Sequence, residues 1–122
     1  MTVAGVARVL GAQVVVGDGF LGREVHTACG SDLMSDVLAF VKDQTVLVTG
    51  LTNNQAIRTA EMMDIVCIVL VRGKEPDSGM VDLAVDREIV VMRTEHSMFT
   101  ACGLLYEAGL RGGAMPNASK QP

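Results

Sequence analysis

The chain has 122 residues, 49% hydrophobic and 20% charged, with ten basic against fourteen acidic side chains and a net charge of −4. That length supports one domain with one core, and the lack of a basic run or of any Trp, with Tyr106, Phe20, Phe40 and Phe99 as the only aromatics, argues against nucleic-acid binding. No apolar run reaches membrane-span length, MTVAGVARVLG lacks the pattern of a secretory signal, and three cysteines without CxxC or CxxH spacing argue against zinc and for a reducing cytoplasm.

Thr2 is placed to cap a first helix over Val3–Leu10, with Val3, Val6, Ala7 and Leu10 on one side. AQVVVGDGF reads as a strand over Gln13–Val16, broken by the Gly17-Asp18-Gly19 turn. REVHTAC predicts a second strand, Arg23–Cys29. Ser31 and Asp32 then open a helix with Leu33, Met34, Val37, Leu38 and Val41 as its buried stripe. From residue 45 the pattern is regular. TVLVT is a strand, Thr45–Thr49. A helix capped by Thr52 or Asn53 follows, with Ala56, Ala60 and Met63 inward. IVCIVLV is a continuous apolar strand, Ile65–Val71. A shorter helix starts near Pro76–Asp77, where Pro76 suits the first turn and Gly79 weakens the segment. Ile89–Met92 is a further strand. Ser97 caps a last helix with Met98, Cys102, Leu105 and Tyr106 inward and Gly109 as its stop.

Alternating strands and helices at this spacing predict parallel pairing through right-handed crossovers. Continuously apolar strands fit a sheet covered on both faces. The expected fold class is therefore α/β, a three-layer domain with a mainly parallel sheet. The N-terminal third adds a helix and one or two edge strands. One domain is expected over residues 1–111. The remainder, 112–122, has no apolar period and reads as a disordered tail.

The segment from Thr45 to Gly109 resembles the DRTGG domain family, named after a short sequence motif. The matching pieces are Thr49-Gly50, Arg72-Gly73 with Glu75-Pro76-Asp77, and Thr94 to Phe99. SDLMSDVLAF resembles the preceding segment of small stand-alone members. The DRTGG string itself is absent, and the turn after the first parallel strand reads Gly50-Leu51-Thr52-Asn53, where many relatives carry Gly-Asp-Arg. The resemblance implies a fold similar to the N-terminal domains of HPr kinases and some Mur ligases. It also implies a regulatory or dimer-forming module rather than a catalyst, of the kind found in some phosphotransacetylases and between the CBS domains of some pyrophosphatases.

Three places carry candidate function. In HTACGSDLMSDVLAF, Cys29 could act as nucleophile with His26 as base and Asp32 steering it. Side chains alternate along a strand, so positions 26 and 29 point to opposite faces. A buried Cys29 and a helix-capping Ser31-Asp32 is the preferred reading. The second place is the carboxyl edge of the parallel strands, where ligands of open α/β sheets bind. Three loops should converge there, and Thr49, Gly50, Thr52, Asn53, Arg72, Gly73, Lys74, Arg93, Thr94 and Ser97 are the candidate ligand-binding residues. Helix N-termini and three basic side chains suit a small anionic metabolite or nucleotide. The competing reading is that Thr52 and Ser97 only cap helices and the basic residues are solvated. No Walker A or GxGxxG spacing is present. The third place is the apolar stretch 62–71, which would serve self-association if its own helices left it bare.

These observations predict a non-catalytic regulatory, ligand-sensing or interaction module with no catalytic residues, acting as a homodimer or on a protein partner. No cofactor, metal, nucleic acid or membrane is expected. The alternatives are an enzyme handling phosphoryl or acyl groups through His26, His96 and the basic loop residues, and a docking module without a ligand.

Overall fold

The computed structural model describes residues 1–39 and 43–112. Five strands form one sheet in the order β1-β5-β4-β3-β2, where β1 is Gln13–Val16, β2 Thr27–Gly30, β3 Thr45–Thr49, β4 Ile65–Leu70 and β5 Val90–Arg93. β2, β3, β4 and β5 run parallel, and β1 closes one border antiparallel to β5. The helices are α1 Val3–Leu10, α2 Met34–Val37, α3 Asn54–Met62, α4 Ser78–Arg87 and α5 Met98–Glu107.

The parallel strands advance in one direction across the sheet. Right-handed crossovers therefore place α2, α3 and α4 on the same face. Met34, Val37, Ala56, Ile57, Ala60, Met80 and Ala84 pack there on Leu47, Ile68 and Leu70. α1 and α5, at the two ends of the chain, cover the other face with Val3, Val6, Leu10, Ala101 and Leu105 on Val46, Val48, Cys67, Val69 and Met92. The strand period of two sends alternate side chains into two separate cores, which is why the strands read as unbroken apolar runs. The α/β three-layer architecture is as expected.

Several local features differ from expectation. The second strand begins four residues later than predicted, at Thr27, because Thr2 bridges Glu24 antiparallel and ties that stretch to the N-terminus instead. α2 is a single turn, Met34–Val37. Met34 and Val37 are buried as predicted, but Leu33 and Leu38 are 59% and 45% exposed. Val41 and the tail from 113 onward lie outside the described residues. Pro76 stands before the N-cap of α4 rather than in its first turn; Asp77 is the cap, its Oδ1 accepting from Met80 N at 2.7 Å. Tyr106, expected inward, is 60% exposed, and the Arg111 guanidinium stacks on its ring at 3.8 Å. Within the stretch 62–71, Met62 is exposed at the end of α3, but the strand Ile65–Leu70 is not bare. β4 is the central strand and is covered by helices on both faces.

Candidate functional site

At the carboxyl edge, the loops after β3, β4 and β5 come together and are tied by backbone hydrogen bonds. Val71 N donates to Thr49 O at 3.2 Å, Arg72 N to His96 O at 2.8 Å, Gly73 N to Thr94 O at 2.8 Å, and Asp77 N to Thr52 O at 3.1 Å. Lys74 Nζ reaches Gly50 O at 3.2 Å. The loop after β2 joins them through Asp32, whose Oδ1 accepts from Gly50 N at 2.6 Å and from Thr49 Oγ1 at 3.1 Å. Asp32 has the sequence context of a helix cap, but α2 starts later, at Met34, and the carboxylate crosses to the next loop. No local pattern announces a side chain that bonds 17 and 18 residues downstream.

The ten predicted residues have distinct positions within this edge. Asn53 caps α3, its Oδ1 accepting from Gln55 N at 3.0 Å, and Ser97 caps α5, its Oγ accepting from Thr100 N at 3.2 Å. Thr52 contributes its carbonyl and not a cap. Thr94 is enclosed, and its hydroxyl donates to Leu10 O at 2.9 Å, anchoring the end of α1. Arg93 pairs with Glu75 and donates from Nε to Gln13 Oε1 at 3.2 Å. Arg72 and Gly73 pass through left-handed backbone (φ 55° and 66°). A non-glycine residue there costs about 1–2 kcal/mol, which the two bonds to His96 and Thr94 offset. Arg72 is exposed, and among the described residues no hydrogen bond or ion pair engages its guanidinium. Asn54 Oδ1, packed beside Gly79, is a buried acceptor without a partner among the described residues.

The His26–Cys29 pair does not form. His26 Nδ1 lies 2.9 Å from Asp43 Oδ1 at the amino end of the sheet, so His26 and His96 occupy opposite edges. Burial, with the nearby Cys102 and Asp36 adding to it, pushes the Cys29 thiol up to about 11. Burial also raises Cys102 and Cys67. Protonated thiols are poor nucleophiles. Cys29, Cys102, Tyr106 and Arg111 line a hollow of about 140 Å³ at the outer border of β2, where Ala28 N donates to Arg111 O at 3.0 Å. A second hollow, about 340 Å³, lies at the amino edge among Arg23, Glu61, Asp64, Arg87 and Glu88. Its arginines are engaged by neighbouring acids, Arg87 by Glu61 and Arg23 by Glu88. Neither hollow contains the converging loops. Among the described residues no group of three or more His, Cys, Asp or Glu could hold a metal ion, and no helix is long and apolar enough to cross a membrane.

The chain belongs to the DRTGG domain family, whose model matches residues 5–108. Its fold is similar to that of the CBS and DRTGG domains of the regulatory region of Clostridium perfringens pyrophosphatase, a crystal structure complexed with the activator diadenosine tetraphosphate, with a TM-score of 0.67 and 16% identity. The match covers 95% of this chain and 51% of that one, so the chain spans about half of that regulatory region. No curated protein matches it in sequence.

Proposed function

We propose that this DRTGG domain is a non-catalytic, cytoplasmic regulatory module that senses a small anionic metabolite or nucleotide at the carboxyl edge of its sheet. The observation that carries this reading is Arg72, an exposed cation without a partner among the described residues, held in left-handed backbone where three loops are laced together. Strained, over-determined backbone concentrates at binding sites. The carboxyl edge of the parallel strands is where open α/β sheets take ligands. The nucleotide activator of the pyrophosphatase regulatory region makes nucleotides the first class to test.

The module acts as a homodimer. The exposed Phe99 and Tyr106, seven residues apart on one flank of α5, support association through that helix.

The test is a thermal-shift series with pyrophosphate, AMP, ATP and diadenosine tetraphosphate at fixed protein concentration. A ligand at a hundred times its dissociation constant stabilises the fold by about 2.7 kcal/mol. A shift that disappears in Arg72→Ala is the expected result. Silence across the series would leave a docking module without a ligand. Light scattering behind a sizing column tests the dimer separately.

A further inference from the structure

The carboxyl edge already holds an anion, and it is the chain's own. Asp32 Oδ1 accepts from the Gly50 amide at 2.6 Å and from the Thr49 hydroxyl at 3.1 Å. Lys74 Nζ donates to the carbonyl of the same residue, 3.2 Å from Gly50 O. A backbone N–H, a hydroxyl and an ammonium are the groups with which loops cradle phosphate. The two charged side chains converge on Gly50 because it has no side chain: a Cβ there would lie 3.0 Å from Lys74 Nζ and 3.3 Å from Asp32 Oδ1. Asp32 itself is exposed, so solvent can receive its carboxylate when it leaves. The neighbouring part of its segment is anchored independently, by Met34 and Val37 in the core.

We propose that Asp32 is an internal competitor for this site, and that an anionic ligand binds by displacing its carboxylate from Gly50 and Thr49. This rests on the anion-sensing reading above and adds its regulation. Without ligand the carboxylate satisfies the Gly50 amide and tempers the field of Lys74. In the bound state the ligand takes both donors, and the tie between the loops after β2 and β3 is released. Ligand binding thus becomes a conformational signal at the border of the sheet that carries α2.

The test is calorimetric titration of inorganic pyrophosphate into the wild type, Asp32→Asn, Asp32→Ala and Asp32→Ala/Arg72→Ala. Removing a charge-assisted bond that the ligand must break should tighten binding about tenfold in Asp32→Ala. Asp32→Asn keeps an uncharged acceptor for Gly50 and should fall between it and the wild type; it also carries the test if Asp32→Ala does not fold. The double variant should lose the gain. Equal or weaker binding by both single variants, with the wild type still binding, would overturn the competitor and leave the anion site standing. No binding by any form would overturn both.

Discussion

The carboxyl edge and the thiol-lined hollow lie at two borders of one sheet, and they differ in kind. The hollow has depth, with an apolar lining and thiols that burial holds protonated. At the carboxyl edge, amides, hydroxyls, two cations and a carboxylate converge. The reason lies in the topology. Parallel strands deliver every following loop to the same end of the sheet, whereas the border of β2 receives whatever the last helix and the returning chain leave over. Concavity therefore marks where the packing stops, and convergence of polar groups marks where chemistry is possible.

The largest expected effect comes from filling the hollow. A Cβ on Gly30 would stand 2.5 Å from Cys102 Sγ, so Gly30→Ala must drive that thiol aside. Overpacking of this sort costs about 1–3 kcal/mol, read as a lower denaturant midpoint. Pyrophosphate binding should survive in the folded fraction. Lost binding with an intact fold would show that the two regions are one site.

Arg72→Gly works at the other region. It relieves a left-handed non-glycine residue and should stabilise the fold by about 1 kcal/mol, while abolishing the anion response. Glu88, in the same conformation (φ 56°) as the C-cap of α4, is the control. Glu88→Gly should bring a similar gain and leave the response alone. If Arg72→Gly destabilises, the backbone there is not strained and the Arg72 side chain has a structural role.

Much of this was legible in the sequence, for reasons that differ by element. β3 and α1 have the predicted bounds, because an apolar run between polar turns and a Thr cap before an apolar period are local signals. The convergence of the loops followed from the strand-helix alternation alone. The position of β1 beside β5 was not legible, since pairing of Gln13 with Arg93 spans most of the chain. Leu33, Leu38 and Tyr106 are misplaced because helical period alone says nothing of where a helix ends or which flank overhangs the outer border of the sheet. Asp32 was missed for the same reason. Its sequence context reads as a cap, and its partners are on another strand.

Ser97→Ala removes the acceptor of the Thr100 amide and should cost about 0.5–1 kcal/mol. If Ser97 only caps α5, anion binding should be unchanged once the lower stability is allowed for. A larger loss of binding than of stability would make its hydroxyl a ligand contact.

One further effect is invisible at neutral pH. Below the ordinary thiol value of 9.0, folded and unfolded chains both hold the Cys29 proton, so the raised value leaves stability unchanged there. As pH climbs from 9.0 toward about 11, the unfolded chain sheds that proton while the folded chain keeps it. The unfolded state then gains, and stability falls with rising pH. Melting temperatures of the wild type and Cys29→Ala should therefore run parallel up to about pH 9 and converge or cross above it, because the variant lacks this loss. Parallel curves through the whole range would mean that Cys29 titrates as an open thiol, and that the hollow is wetter and more reactive than its lining indicates.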